Sequence, residues 1–414
     1  MAYHGKFAAP LRVLKISAVC TALTISSLAV AQKEYGPGVT DTEIKIGQTM
    51  PYSGAYSASA VAGRIQLAYF KMLNEKGGIN GRKVNLISLD DGFSPPKTVE
   101  ATRRLVESDQ VLAIVSPVGS SPNMATYKYL NAKKVPQILL LSGLKLWDSN
   151  PALPWSMSFT PPYYAEQQVF AKYILAHVPN AKIGILYQDD DTGKELRAAF
   201  RETLGPKASS MIVQELSYNV TDTSVDSQIL ALQSSGANVF LNATGGKFTA
   251  LALRKAYDSG WKPLTFIPAV SSSVKTSMQP AGVEASTGAL TTAWVKTPND
   301  PQWANDKGVQ AYHDFMKQYV PGADADDYYA VVGFLAGQLA ALVLQRCGDD
   351  LTRANVMKQA TSLNNVSLTL TLPGITMNNS PTARNPVKQF VLARYDGHNW
   401  VPFGDIISAQ GGNR

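Results

Sequence analysis

The sequence predicts an α/β protein built from two doubly wound, mostly parallel sheets. Short apolar runs alternate with amphipathic segments of helical period along most of the chain, which is typical of parallel sheets covered by helices. This alternation stops once, in the proline- and aromatic-rich segment 145–162, and restarts at residue 165. The 414 residues are 45% hydrophobic and 17% charged, enough for two packed domains.

The first unit, residues 43–96, shows the pattern most clearly. Ile44 and Ile46 predict a strand, and a loop rich in serine and alanine, 50–60, follows it. One buried helical face is predicted by apolar residues at i, i+3, i+4, i+7 and i+8, namely Ile65, Ala68, Tyr69, Met72 and Leu73. Gly77 and Gly78 end that helix, and the next strand is 84–89. A right-handed crossover between parallel strands is therefore expected.

The later elements are predicted in the same way. In the first domain they are a helix capped by Ser94, a strand at 111–115, a helix at 123–133 and a strand at 137–141. In the second domain, helices at 165–177, 194–204, 226–235 and 248–259 alternate with strands at 183–187, 211–216, 239–243, near Phe266 and at 288–295. Helices at 303–319 and 328–346 return to the first domain, and 387–395 with 400–407 predict a closing hairpin.

Residues 1–31 are predicted to be a cleaved signal peptide. Lys6, Arg12 and Lys15 precede an apolar stretch that ends with small residues at 29 and 31. A single membrane anchor is the alternative, but the stretch is shorter than the ~20 residues that a spanning helix needs, and no later segment is expected to span. Removing three basic residues lowers the formal charge from +7 to +4, so nucleic acid is not an expected partner. Only Cys347 then remains, and a packed core thiol without a disulfide is expected.

An enzyme is not predicted. The histidines after residue 31, His177, His313 and His398, have no second histidine or cysteine at metal-ligand spacing, and no nucleophile elbow is present. The run 245–248 lacks the spacing of a phosphate-binding loop. The acids 189–191 are expected to form a solvated cap on the next helix rather than a cation site. No metal or cofactor is therefore expected.

Four runs carry a family resemblance: IKIGQTMPYSG (44–54), GGINGRKVNLISLDDGFSPPKTVEATRRLVE (77–107), YKYLNAKKVPQILLLSG (127–143) and KIGILYQDDDTGKEL (182–196). The sequence resembles the periplasmic ligand-binding proteins of ABC importers, in the branch typified by the leucine/isoleucine/valine-binding protein. The resemblance implies two lobes, 41–157 plus 296–375 and 158–295 plus 376–414, joined by a three-strand hinge. It also implies export to the periplasm, a small-molecule ligand and an ABC permease as partner.

The resemblance places a ligand carboxylate at the carboxyl ends of the third and fourth strands. The positions are Ser120 and Ser121, then Ser142, Gly143 and Leu144, where Leu144 departs from the usual small or hydroxyl residue. Ser121 is expected to head a helix whose free N–H groups favour an anion, although a simple capping role is the alternative. The further ligand-binding candidates are Tyr52, Tyr56, Ser59, Trp147, Thr192, Gly245, Val270 and Ser271.

The second lobe departs from the family pattern. Thr192 stands where many relatives have an aromatic lid, and Val270 and Ser271 stand where amino-acid binders have an acid for the ligand ammonium. Either Asp189 or Asp190 substitutes, or the ligand has no ammonium, since a buried unpaired ammonium costs several kcal/mol. The expectation is a small aromatic or aliphatic carboxylate that binds about a thousandfold better than leucine, isoleucine or valine, because ~4 kcal/mol corresponds to that factor. The disulfide of some relatives would need cysteines near Phe93 and Gly119.

Three alternatives remain open for function. Branched-chain amino acid binding is the first, and a ligand-sensing regulatory module on the same fold is the second. An exported hydrolase is the third, disfavoured because no nucleophile has a partner base.

Overall fold

The computed structural model describes residues 1–6, 8 and 33–408, so most of the predicted signal peptide lies outside the described residues. The strands are β1 (Glu34–Tyr35), β2 (Glu43–Met50), β3 (Lys83–Asp90), β4 (Ile114–Val115), β5 (Gln137–Leu140), β6 (Ser156–Ser158), β7 (Ile183–Gln188), β8 (Ile212–Tyr218), β9 (Val239–Ala243), β10 (Leu264–Phe266), β11 (Leu290–Ala293), β12 (Asp350–Leu351), β13 (Gln389–Tyr395) and β14 (Trp400–Ser408).

The α-helices are α1 (Val61–Glu75), α2 (Pro95–Arg103), α3 (Ser120–Met124), α4 (Tyr127–Ala132), α5 (Leu146–Ser149), α6 (Tyr163–His177), α7 (Asp191–Leu204), α8 (Ala208–Met211), α9 (Asp226–Ser234), α10 (Lys247–Asp258), α11 (Gln279–Ala281), α12 (Val283–Ser286), α13 (Lys307–Tyr319), α14 (Tyr328–Cys347) and α15 (Arg353–Ala360). Short 3₁₀ or π turns lie at Ser57–Ala60, Arg104–Ser108, Gly205–Lys207, Ala269–Ser271, Val274–Met278 and Pro301–Trp303.

The first lobe is built on a five-stranded parallel sheet in the order β3-β2-β4-β5-β6. Ile44 and Ile46 on β2 are fully buried, as the apolar pattern predicts. The neighbouring β3 keeps an unbroken register from Glu43 opposite Lys83 to Met50 opposite Asp90. A separate short parallel pair joins β1 to β12.

The second lobe is built on a seven-stranded sheet in the order β14-β13-β11-β10-β9-β7-β8. The five strands from β11 to β8 are parallel, and the hairpin β13-β14 joins antiparallel to β11. The closing hairpin therefore pairs with the second sheet, as the family resemblance implies.

Three connections carry the chain between the two sheets: one from β6 to α6, one after β11 and one before β13. The second and third run side by side, since Val295 bridges Thr371 antiparallel. These observations confirm the predicted fold class of two α/β lobes, and three connecting segments join them. The exact domain boundaries stay a prediction.

One helix corrects the expectation about membrane spans. The 20 residues of α14 are long and apolar enough to cross a bilayer by length and composition, although no spanning segment was expected after the N-terminus. However, 78% of its apolar window is buried inside the protein. A Cβ on Gly333 would lie 2.8 Å from Ala62 of α1, so the two helices pack closely. The helix is therefore a core helix of the first lobe.

Some local predictions were wrong. Of the predicted strand 111–115 only Ile114–Val115 is a strand, because the Arg353 guanidinium takes the carbonyls of Val111 and Leu112 at 2.9 and 3.2 Å. The helix predicted at 123–133 is split into α3 and α4, where the Thr126 hydroxyl bonds the Asn123 carbonyl at 3.2 Å. Strand β6 was missed because its buried residues include two serines, which hide the apolar pattern.

Candidate functional site

A cavity of about 220 Å³ lies between the two lobes. Its first-lobe wall comes from the loop after β2, the turn after β4 and the start of α14. Its second-lobe wall comes from the segments after β7, β9 and β10. These are largely the carboxyl ends of parallel strands, where open α/β sheets place ligands. The cavity is therefore the candidate ligand site.

Ser120 is the predicted carboxylate residue that lines this cavity. Its Oγ lies 2.9 Å from Ser142 Oγ and accepts a hydrogen bond of 2.7 Å from Thr192 Oγ1 of the second lobe. Ser142 in turn accepts from Trp147 Nε1 at 3.0 Å. Ser142 and Trp147 are both fully buried and lie behind Ser120, so they orient its hydroxyl without lining the cavity.

Four other predicted residues of the first lobe do not line the cavity. Ser121 donates from Oγ to Asp190 Oδ2 at 3.3 Å. The Tyr52 hydroxyl bonds Ser88 Oγ at 2.7 Å on the side of β3. Leu144 is 4% exposed within the core, and Gly143 is packed so tightly that a Cβ there would lie 2.3 Å from the Pro161 carbonyl.

Tyr56, on the loop after β2, forms an aromatic wall of the cavity. Its ring stacks on Phe93, with centroids 4.0 Å apart and an interplanar angle of 13°. Phe93 lies against Gly119, whose φ of 95° and missing side chain leave room for the ring: a Cβ there would be 2.4 Å from Phe93 Cε2. Phe93 and Gly119 are the two positions where the family resemblance would place a disulfide, and in this protein the aromatic ring makes the contact between them. Ser59 also lines the cavity, but its hydroxyl donates to the Tyr56 carbonyl at 2.7 Å.

Gln188, at the end of β7, was missed by sequence reasoning although it lines the cavity. Its Oε1 accepts from the hydroxyls of Tyr218, at 2.8 Å, and Tyr56. Tyr218 also accepts from the N–H of Gly245 at 2.9 Å. A Cβ on Gly245 would lie 2.6 Å from the Tyr56 hydroxyl, so this predicted glycine admits the tyrosine to the cavity wall.

Thr192, Val270 and Ser271, three further candidates, line the second-lobe wall of the cavity. Ser271 donates from Oγ to the Thr244 carbonyl at 2.6 Å, so its hydroxyl hydrogen is already committed.

Neither acid considered as an ammonium partner lines the cavity. Asp189 forms an ion pair of 2.9 Å with Lys194 at the surface. Asp190 caps α7 by accepting from the Gly193 N–H at 3.0 Å, in agreement with the predicted capping role of this acidic run. Burial raises the pKa of Asp190.

Asp327 lines the cavity and was also missed by sequence reasoning. It is 6% exposed and caps α14, with Oδ1 accepting from the N–H groups of Tyr329 and Ala330 at 2.8 and 3.2 Å. Oδ2 accepts from Ser273 Oγ of the second lobe at 3.2 Å. Burial raises the pKa of Asp327, because the charged carboxylate loses contact with water. A bound cation would offset the free-energy cost of burying that charge. The acidic run 324–327 stands directly before an apolar helix. That pattern predicts a helix cap, but it does not predict that Asp327 faces a cavity.

The lobes and their cleft define a two-lobe ligand-binding protein. A family model described as periplasmic binding protein matches residues 43–399, and the chain belongs to that family. The Leu/Ile/Val-binding protein homolog 7 of Brucella abortus is 25% identical over 252 residues, which cover 59% of this chain and 62% of the relative. The alignment thus spans somewhat less than two thirds of that relative.

Two solved structures share the fold. A branched chain amino acid ABC transporter protein from Thermus thermophilus with bound valine has a TM-score of 0.80 at 15% identity, covering 89% of this chain and 97% of that one. A fatty acid ABC transporter substrate-binding protein from Thermomonospora curvata has a TM-score of 0.74 at 20% identity, covering 91% and 95%.

Proposed function

We propose that this protein is the periplasmic solute-binding component of an ABC importer, exported by a cleaved signal peptide. It captures a small molecule between its lobes and delivers it to a membrane permease. The observation that carries the proposal is the cavity itself, which both lobes line and which contacts such as Thr192 to Ser120 close across the cleft. The membership of the periplasmic binding protein family and the similarity to a Leu/Ile/Val-binding protein homolog support it.

The proposal is one of binding and not of catalysis. Among the described residues that line the cavity there is no histidine or cysteine, and three of its serines, Ser59, Ser120 and Ser271, bond to other protein groups. A nucleophile without a general base is weak, so the cavity supports capture better than acyl transfer.

The ligand that the cavity supports best is a small amino acid. Asp327 supplies the acid that the strand end at 266–271 lacks, so the basis for expecting an ammonium-free ligand is removed. We place the ligand ammonium at Asp327 and its carboxylate at the Ser120 hydroxyl. Ser121 is not chosen for the carboxylate, because the neighbouring Asp190 carboxylate would repel an anion there.

The size of the cavity supports the same class of ligand. At about 220 Å³ it is smaller than the ~300–1,000 Å³ typical of drug-sized ligands. The aromatic rings of Tyr56, Phe93 and Tyr329 line it and would pack against an apolar side chain. The fatty-acid-binding structure of the same fold keeps the ammonium-free acid as the alternative.

A paired titration tests the ligand class. The protein is unfolded, freed of co-purified small molecules, refolded and titrated with L-leucine, L-isoleucine and L-valine and with their 2-oxo acids. We expect micromolar or tighter binding of at least one amino acid and binding about a hundredfold weaker of its 2-oxo acid, since losing a buried charge pair costs ~3 kcal/mol. Tighter binding of the 2-oxo acids would support the ammonium-free alternative.

Lobe closure tests the transport proposal apart from ligand identity. Small-angle scattering of protein carrying its co-purified ligand, identified by mass spectrometry, should give a smaller radius of gyration than the refolded, ligand-free protein. The ligand should also increase the free energy of unfolding by ~2.7 kcal/mol at a hundredfold excess over Kd, and the melting temperature should rise accordingly. Identical scattering curves would contradict closure around a captured solute.

A further inference from the structure

Gln188 stands where the contacts between the lobes converge. It is 5% exposed, and both ends of its side-chain amide are engaged. Oε1 accepts from Tyr56 and Tyr218, while Nε2 donates to Asp190 Oδ2 at 2.6 Å. Since Oε1 already has two donors, a ligand gains no acceptor from it.

Two of these contacts reach the first lobe. Tyr56 is bonded directly, and Ser121 is bonded through Asp190, whose Oδ2 accepts from both Gln188 and Ser121. Tyr56 lies on the loop after β2 and Ser121 on α3, so the amide connects two separate parts of the first lobe to β7.

We propose that Gln188 is a positioning residue that holds the lobes together by contacts between protein groups and thereby slows ligand release. The proposal rests on the proposed function of the cleft. Gln188 acts through Tyr56, which it fixes over the cavity against Phe93, and through Asp190, which it fixes against Ser121. These bonds form only when the lobes are close, so they stabilise the closed form whatever the cavity contains.

This mechanism differs in a measurable way from ligand recognition. A residue that touches the ligand changes the relative affinities of different ligands. A residue that stabilises the closed form lowers every affinity by one common factor when it is removed, chiefly through faster dissociation.

A charge-swapped pair of variants tests the role. Gln188→Glu keeps the acceptor for the two tyrosines, but it replaces the donor to Asp190 by a carboxylate that faces a carboxylate. The double variant Gln188→Glu/Asp190→Asn exchanges the amide and the acid, keeps the wild-type net charge and restores an amide–carboxylate hydrogen bond. Asparagine remains a good cap for α7. The control is Gln233→Glu, which loses a 2.8 Å bond to the Ser259 carbonyl within the second lobe.

The first measurement uses ligand-free protein. Because the Gln188 contacts need no ligand, they should keep a fraction of the ligand-free wild-type molecules closed. We therefore expect the radius of gyration from small-angle scattering to be larger for Gln188→Glu than for wild type, and to return to the wild-type value in the double variant. Gln233→Glu should scatter like wild type. This measurement needs no ligand, so it stands even if no amino acid binds. Equal radii of gyration for wild type and Gln188→Glu would overturn the proposal.

The second measurement uses L-leucine and 4-methyl-2-oxopentanoate as probes in stopped-flow dissociation. Each probe that binds should dissociate about tenfold faster from Gln188→Glu than from wild type, and the factor should be the same for both probes. From the double variant the probes should dissociate at nearly the wild-type rate. Different factors for the two probes, or a double variant as fast as the single one, would overturn the positioning role. We expect the melting temperature to fall equally in Gln188→Glu and Gln233→Glu. General destabilisation would then not explain a faster release that only Gln188→Glu shows.

Discussion

The hydroxyl of Thr192 donates to that of Ser120 across the cleft, over 2.7 Å. Thr192 occupies the position where the family resemblance leads one to expect an aromatic lid. In this protein the aromatic wall is Tyr56, from the opposite lobe, stacked on Phe93. A short side chain at 192 can therefore reach Ser120, and one contact joins the lobes at the end of the cavity where we place a carboxylate.

We expect Ser120→Ala to weaken the binding of L-leucine by 1–3 kcal/mol, or about 5- to 150-fold, because hydrogen bonds to charged groups contribute in that range. Isothermal titration calorimetry measures the change. Ser94→Ala is the control, since Ser94 precedes α2 without making a side-chain cap bond, and it should leave Kd unchanged. An unchanged Kd in Ser120→Ala would show that the carboxylate lies elsewhere.

The second prediction concerns Asp327→Asn, which removes a charge but keeps a capping side chain for α14. The affinity for L-leucine should fall at least tenfold, while that for 4-methyl-2-oxopentanoate should stay the same or rise, because only the former carries an ammonium. Competition binding with both ligands gives the ratio. Asp300→Asn, which alters the cap of the 301–303 turn, is the matched control and should not change the ratio. Equal losses for both ligands would indicate a structural role for Asp327.

The third prediction concerns Gly245→Ala. The added methyl group would lie 2.6 Å from the Tyr56 hydroxyl, so Tyr56 must leave its bond to Gln188. We expect weaker ligand binding and a more open ligand-free protein. Tyr56→Phe removes the clashing atom, and the next atom of the ring is 3.4 Å away. The double variant Gly245→Ala/Tyr56→Phe should therefore bind no more weakly than Tyr56→Phe alone. Additive losses in this cycle would rule out the steric explanation.

The fourth prediction concerns Glu166, a fully buried acid on α6. Its Oε1 accepts from the Ala269 N–H at 2.9 Å and from Thr292, and Oε2 has no partner among the described residues. Burial raises the pKa of Glu166 from 4.5 to about 7. Between those values the folded protein holds a proton that the unfolded chain has lost, so the free energy of unfolding falls as pH rises from about 4.5 to 7.

Glu166→Gln should remove this contribution. Chemical denaturation of wild type and variant from pH 4.5 to 8 should show the variant gaining roughly 2–3 kcal/mol relative to wild type across that range, since one pKa unit corresponds to ~1.4 kcal/mol. The new amide can also change the free energy of unfolding by a constant amount, but a constant amount does not change how the difference between variant and wild type varies with pH. Glu100→Gln, at an exposed position, is the control and should parallel wild type. Parallel curves for Glu166→Gln would mean that the buried acid is already ionised near its ordinary pKa.

Local patterns predicted most elements because they depend on neighbours along the chain. The bounds of β9 and the start of α9 follow the apolar period, and α14 starts directly after its cap, Asp327. The pattern failed at β6, where buried serines look like a loop, and at residues 111–115, where Arg353 from far along the chain takes the carbonyl groups.

By itself, the sequence determined the alternation of strands and helices in two α/β lobes, the closing hairpin, and the placing of Ser120, Tyr56, Thr192 and Gly245 at strand ends. Strand ends of parallel sheets meet at one edge, so local periodicity is enough to locate them. Only the tertiary structure decided that Gln188 bonds Tyr56, that Ser142 and Trp147 lie behind Ser120, and that Asp327 faces the cavity. These contacts join residues from different lobes or layers, and their distances depend on packing rather than on sequence spacing.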